Sequence, residues 1–456
     1  MEKEIVIERF AETLKDDCGA FFIGSGISHE STGVDWFKLL EPLTNEFGIK
    51  MNNESDDLPL IAQYIVNQYA GNKGPLINQI SKAFNKKFSV NRYHKALATT
   101  KISSIWTTNY DMLLESAFSE FLIDVKVNED SISRNVINSE IEIIKMHGCI
   151  SKSHHKEIVI TTEDYEDFSV NKPAFSQRLC NDLLKKSFLF IGYSYRDPNI
   201  RNIMVTARRL CHNATREHFL ILKRDNDKDL EKRKEKNKRQ DLWGQDLKRL
   251  GISTLFIDSY DELEEILVAI SQRSRGKTVY VTGTHKGGSE IAHNLGIMLS
   301  KEKDVVLISG QSSGVGSDIV SSFMEQCILN KEDINGRIKI FPNPYAANAK
   351  FSDDFSLLPE LKKYRTNLLN STNVAVIFNG GKGTEAEVEV AINRNCNIIP
   401  VIENYNDRDS EVIKKILKEN FIMDKIKATD SEYYCKLLNG LVTVEDVHRC
   451  LMKILK

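Results

Sequence analysis

At 456 residues and 41% apolar content, the chain is long enough for two or three domains with real cores. Its 62 basic side chains against 64 acidic ones leave a net charge of −2, which gives no global field toward a polyanion and argues against a general nucleic-acid binder. The 8 cysteines include no CxxC pair, against a disulfide scaffold or a zinc ribbon. MEKEIVIERF carries charges inside its short apolar run and no window of membrane-spanning length lacks charge, so a soluble, reduced, cytoplasmic protein is expected.

The first strand signal is Ala20–Ile23, followed by Gly24, Ser25, Gly26 and Ser28, then by an amphipathic stretch around Trp36, Leu39, Leu40 and Leu43. A strand, a tight glycine turn and a helix let a phosphate approach main-chain N–H groups beside a helix N-terminus, although such a turn is by itself equally a mere turn. Further buried strands are expected at 102–107, 141–146, 188–191, 219–222 and 254–257, with helical stretches between them, giving a mostly parallel sheet with helices on both faces. Polar residues gather where these strands end: TTNYD at 107–111, HG at 147–148 and GYSYRDPN at 192–199. Ligands of such sheets bind beyond the carboxyl ends of the strands, so these stretches converge on one crevice.

The mixed-charge run 225–239 reads as a solvated surface helix, 260–272 as a helix closing the first domain and 271–277 as a polar linker. A second strand series follows at 278–281, 305–308, 338–341, 374–378 and 398–402. Glycine-rich ends stand at TGT 282–284, SGQSSGVG 309–316 and NGGKGT 379–384. This is a second α/β domain with its own crevice, and from Ser410 onward amphipathic helices cover its sheet.

Cleaving nicotinamide from ribose passes through a cation-like sugar centre. The first crevice suits that chemistry: an imidazole, His147, can take a proton from a ribose hydroxyl near neutral pH, and an amide, Asn109, can hold the ribose or a water in line. Each candidate also has an ordinary reading. Asn109, Ser194 and Asp197 after strands are typical helix caps, and His147 could satisfy a backbone carbonyl. The adjacent His154 and His155 lack a further nearby ligand, so no metal is expected.

In order and spacing, GSGIS at 24–28, TTNYD at 107–111, KMHG at 145–148 and GYSYRDPN at 192–199 resemble the sirtuin (SIR2) NAD-binding fold, most closely its bacterial antiphage branch. The resemblance implies Asn109 and His147 as the catalytic pair, with Gly24, Ser25, Gly26, Ser28, Asp111, Gly192, Ser194 and Asp197 at the NAD site. The four-cysteine zinc module of deacetylating sirtuins is missing after HGCISKSHH. Water therefore outranks an acetylated lysine as acceptor, and NAD is a substrate rather than a cofactor.

In the second half, NGGKGTEAEVE at 379–389 resembles the PGGxGTxxE motif of the lysine-decarboxylase-like hydrolases, and TGT with SGQSSGVG resembles their SLOG superfamily. Asn379 replaces the proline of that motif, which favours binding without turnover. The resemblance implies a nucleotide site at Gly283, Thr284, Gly310, Gly314, Gly316, Gly380, Gly381, Gly383 and Thr384. There Arg365 would pair with phosphate and Glu387 would hold ribose hydroxyls; the ordinary readings are a solvated helix residue and a first-turn dipole partner.

A SIR2 unit fused to SLOG looks like the Thoeris antiphage effectors. This implies an α/β chain of two domains, a SIR2-like Rossmann-type parallel sheet over 1–275 and a SLOG Rossmann-like parallel sheet over 277–456. By the same resemblance, a cyclic ADP-ribose isomer made by a TIR-domain partner binds the second domain and releases an NADase that depletes cellular NAD, in a tetramer or filament. The competing readings are a zinc-free deacylase or ADP-ribosyltransferase, and a nucleic-acid-associated SIR2 module.

Overall fold

The computed structural model describes the chain except residues 52–56, 85, 193–203, 207, 210–215, 284–287, 312–313, 344–357, 405–406 and 408–409, and the side chains of 152–154 and 358. Ser194, Asp197 and Thr284 thus lie outside the described residues. The chain divides into two compact units, the first comprising 1–98 and 102–270 and the second 271–456 together with Thr99–Lys101.

Among the described residues, the sheet of the first unit has seven strands: β1 Gly19–Ile23, β2 Ser104–Thr107, β3 Ile123–Lys126, β4 Ile141–Lys145, β5 Ser187–Ile191, β6 His218–Lys223 and β7 Ile252–Ile257. They run in the order β3-β4-β2-β1-β5-β6-β7 with every pairing parallel. The side-chain period of two explains the apolar runs. Phe21, Ile23, Ile105, Ile143, Leu189 and Ile191 enter one core, whereas Ala20, Phe22, Trp106, Ile144, Phe188 and Phe190 enter the core on the opposite face.

The helix Lys3–Lys15 covers the first face through Val6, Ile7, Phe10 and Leu14, spaced three and four apart, with Phe10 at 5.6 Å from Phe21 and 6.0 Å from Phe219 between ring centroids. A layer of three further helices, Trp36–Glu46, Leu58–Gln68 and Gly74–Phe84, packs its own apolar cluster onto Tyr110, Ile158 and Ile160. These helices therefore screen the loops that leave β2 and β4.

β3 escapes the sequence reading because IDVK holds no apolar run. It is an edge strand whose two charged residues are buried, with Lys126 paired to Asp124 at 2.6 Å. The charged run becomes the exposed helix Leu230–Arg249, laced by Lys234–Glu231 at 3.0 Å and Arg239–Glu235 at 2.6 Å.

In the second unit the described strands are β8 Thr278–Thr282, β9 Val306–Ser309, β10 Ile338–Ile340, β11 Val374–Ile377 and β12 Asn397–Pro400, parallel throughout in the order β10-β9-β8-β11-β12. The tail forms helices Glu411–Lys418, Asn420–Thr429, Ser431–Asn439 and Val444–Ile454; Tyr433, in the third, donates to Pro400 O at 2.6 Å and so fastens the tail to β12.

The 271–277 run is not a linker. The preceding helix continues to Ser274, and Ser271, Ser274 and Arg275 are buried. The Arg275 guanidinium donates to Thr372 O at 2.8 Å, Thr99 O at 2.9 Å and Ser271 Oγ at 3.0 Å, and also to Arg394 O. A fork of donors that satisfies several carbonyls at once makes a buried arginine tolerable, and polar composition alone does not reveal it.

Candidate functional site

In the first unit, four strands end in register: Ile23 pairs with Thr107 and with Ile191, and Thr107 pairs with Lys145. The loops bearing Gly24, Asn109, His147 and Gly192 therefore leave one edge of the sheet, with adjacent strands about 5 Å apart. The strand order reverses between β1 and β5, the position where open α/β sheets leave a crevice.

Gly26 and Gly192 are glycines because the two backbones touch. A Cβ on Gly26 would lie 2.9 Å from Gly192 Cα, and one on Gly192, at φ +63°, would lie 2.6 Å from Ile27 N. The N–H groups of Gly24 and Gly26 are both taken up, by Ile191 O and Gly192 O at 2.9 Å each. The expectation that these amides face a phosphate is thereby corrected: the glycines bring β1 and β5 together, and the helix Ser25–Thr32 starts directly from the turn.

Asn109 is buried, and its Nδ2 donates to Gly24 O and to Ser28 Oγ, each at 3.2 Å. Because both donors are fixed, the orientation of the amide is fixed too. Its Oδ1 is buried with no hydrogen-bond partner among the described residues. Asn109 does not cap the next helix, Leu113–Ala117, whose N-cap is Met112; Asp111 Oδ1 accepts from Leu113 N at 3.0 Å. A buried, unpaired acceptor costs about 1–3 kcal/mol, an expense that a fold carries where a ligand supplies the donor.

His147 is 2% exposed, with its ring edge-on to Tyr165 at 5.3 Å and Phe168 at 6.1 Å. Gly148 follows at φ +92°, where any Cβ would strike Glu157 C at 2.7 Å; this close approach is sealed by Val159 N donating to His147 O at 3.1 Å. Behind the pair, Asn91 donates to Ile27 O at 2.8 Å and accepts from fully buried His94, 2.8 Å from Nδ1. Burial lowers the pKa of His94, against the pull of Asp111 and Glu30. His155 Nε2 lies 3.0 Å from Ile150 O and 3.3 Å from Ser81 Oγ. Sequence reasoning missed Tyr165, Phe168 and His94, none of which stands within a strand-end polar cluster.

In the second unit, Glu387 is half-buried in the second turn of the helix Lys382–Asn393, so it is not a first-turn dipole partner; Glu385 holds that position. Its Oε2 accepts from Thr282 Oγ1 at 2.6 Å. Burial raises its pKa, while Thr282, Arg365 and Tyr280 pull it down. Arg365, on the helix Leu358–Asn370, is thus near enough to feel this carboxylate, and its Nε is buried without a hydrogen-bond partner among the described residues.

Tyr364 donates to Gly310 O at 2.9 Å, and the buried Tyr280 hydroxyl lies beside Thr282 and Glu387. Burial, reinforced by Glu387, raises both phenols. Gly283, at φ +140°, lies against Phe378 and Asn379, and Gly310 lies against the Tyr364 hydroxyl. A side chain on Gly381 or Gly383 would meet nothing within 4 Å, whereas one on Gly380 would strike Thr384. Gly314 caps the helix Val315–Leu329, with Gly316 in its first turn. The structure so gathers Arg365, Glu387, Thr282, Tyr280, Tyr364 and Gly310; Tyr280 was illegible because inside an apolar run it reads as core, and Tyr364 because between Lys363 and Arg365 it reads as helix surface.

Residues 103–242 match the model of the SIR2-like domain, and 262–455 match the Sir2- and TIR-associating SLOG family. An NAD(+) hydrolase ThsA from Bacillus cereus is 30% identical over 423 residues, covering 87% of this chain and 86% of that protein. The chain belongs to the ThsA family of NAD(+) hydrolases. A ThsA from Acinetobacter baumannii is 30% identical over 84% of this chain and 80% of its own length. At 25% identity over 47% of this chain, defense-associated sirtuin 2 of Bacillus subtilis is similar to part of it. The first matched family model spans β2–β6 and the second spans β8–β12. No described helix is long and apolar enough to cross a membrane.

Proposed function

We propose that this chain hydrolyses NAD to nicotinamide and ADP-ribose in antiphage defence, with Asn109 and His147 as catalytic residues. The carrying observation is the buried, partnerless Oδ1 of Asn109, held by two fixed donor bonds, in the loop after the strand that pairs with the one leading to His147. A fixed amide oxygen accepts from a ribose hydroxyl or from the attacking water as positive charge grows on the sugar, and an imidazole takes up the released proton. Gly24, Ser25, Gly26, Ser28, Asp111, Gly192, Ser194 and Asp197 are the proposed NAD-site residues. Chemistry of this kind requires no metal.

The second unit is the proposed sensor. Half-buried Glu387, the unpaired Nε of Arg365 and the open faces of Gly381 and Gly383 suit ribose hydroxyls and phosphate of a cyclic ADP-ribose isomer. Gly283, Thr284, Gly310, Gly314, Gly316, Gly380 and Thr384 complete the proposed site. The name of the matched family, Sir2- and TIR-associating, supports a TIR-domain partner as source of the signal, and a homotetramer or filament in the cytoplasm is the proposed working form. Coupling requires the signal to bind the active arrangement more tightly than the idle one.

The test is product analysis of NAD incubated with the protein and a panel of cyclic ADP-ribose isomers. Nicotinamide with an equal amount of free ADP-ribose is expected with the matching isomer. ADP-ribose appearing only on protein would establish transfer instead, and NAD left intact with every isomer would defeat the proposal.

A further inference from the structure

We propose that Lys145 is a positioning residue for NAD cleavage, a buried cross-brace that sets the Asn109 turn against the strand delivering His147; this rests on the hydrolase reading of that site. Lys145 is the last residue of β4 and its side chain is 1% exposed. Its ammonium donates to Glu115 Oε1 at 2.8 Å and to the main-chain oxygen of Asp111. The brace thus spans neighbouring strands, from two residues before His147 to two residues after Asn109. Its own carbonyl accepts from Gly148 N at 3.2 Å, and Met146 N donates to Thr107 O at 3.1 Å, so the turns on either side of the pair are tied to the same residue and its neighbour.

Stability alone gives a poor reason for this arrangement. Taking a lysine and a glutamate out of water carries a desolvation penalty that apolar residues of similar volume would avoid. Moreover, Glu115 Oε2 is buried with no hydrogen-bond partner among the described residues, so the pair is incompletely satisfied. What an apolar pair cannot do is hold the Asp111 carbonyl. Burial opposes the charge on Lys145, yet Glu115, with Cys149 and Asp111, keeps its pKa above the usual lysine value. Glu115 therefore serves to keep the ammonium charged and aimed, and the ammonium holds the turn. Lysine at a strand end ordinarily reads as a solvated residue, so its place in the KMHG run does not disclose the brace.

The experiment compares Lys145→Met, the charge-free double variant Lys145→Met with Glu115→Leu, and Lys145→Arg, measuring kcat, KM for NAD and melting temperature in the full chain under conditions where the unsubstituted protein turns over NAD. Misplacing a reacting group by about 1 Å costs roughly 100-fold in rate, so Lys145→Met should lose about that in kcat with KM little changed. The double variant should melt at the wild-type temperature or above and still lack kcat, while Lys145→Arg should recover part of it. Recovery of both melting temperature and kcat in the double variant would overturn the inference, leaving a purely structural pair, as would full kcat in Lys145→Met. An unsubstituted protein that cleaves no NAD would instead overturn the hydrolase reading and this inference with it.

Discussion

Asn109→Ala separates function from stability in a way that can be worked out beforehand. The substitution removes two hydrogen bonds, to Gly24 O and Ser28 Oγ, each 3.2 Å long and each worth about 1 kcal/mol net. It also removes the partnerless buried Oδ1, whose desolvation costs about 1–3 kcal/mol. Loss and relief nearly cancel, so the unfolding free energy should change by no more than about 1 kcal/mol. Turnover should fall by at least about 100-fold, since the group that aligns water or ribose is gone. Urea unfolding gives the first quantity, and nicotinamide release at saturating NAD and activator gives the second. A variant destabilised by more than about 3 kcal/mol, a range typical of broken cores and networks, would show Asn109 to be a structural residue. Retained turnover would remove it from the chemistry altogether.

Arg365→Ala should leave the fold intact but raise the activator concentration needed for half-maximal turnover by roughly 10- to 150-fold, the worth of one charge-assisted hydrogen bond of about 1.5–3 kcal/mol; an unchanged activation curve would exclude it from the sensor. Arg275→Met strands carbonyls of Thr372, Thr99 and Arg394 and should cost about 3 kcal/mol or more in urea unfolding; a neutral result would show that these oxygens find other donors. The buried His218 imidazole, accepting from Phe188 N, has its pKa pushed down to about 3 by burial first and Arg216 second. The unfolded histidine binds its proton near pH 6.5 while the folded one waits until about pH 3. That contribution is therefore full above about pH 6.5 and is lost as pH falls, by about 2 kcal/mol between pH 6.5 and 5. His218→Gln should flatten the slope in that window by the same amount, and an identical slope would assign the acid sensitivity elsewhere.

Much of the architecture was legible because both sheets are parallel and buried on both faces, so their strands stand out as continuous apolar runs such as Phe188–Ile191 and Val374–Ile377. β3 was invisible for the converse reason: its buried residues are an aspartate and a lysine that neutralise each other at the sheet edge. Residues 271–277 misled because composition cannot distinguish a solvated arginine from one whose donors meet folded carbonyls. At the candidate site, strand-end position singled out Asn109, His147 and the glycines, whose loops leave one edge of the sheet. It could not disclose that the Gly24 and Gly26 amides close onto β5, since that depends on a backbone more than 160 residues away. The supporting shell, Lys145 with Glu115 in the first unit and Tyr280 with Tyr364 in the second, lies inside elements whose pattern reads as ordinary core or ordinary surface.

The claim that catalysis and sensing occupy separate pockets is tested most directly by titrating His147→Ala with the activating cyclic ADP-ribose isomer in a calorimeter, alongside a nicotinamide assay of the same sample. The account predicts binding as tight as that of the unsubstituted protein, with no nicotinamide released. Loss of binding together with loss of turnover, in a variant that still melts cooperatively, would place the signal in the first crevice and contradict it.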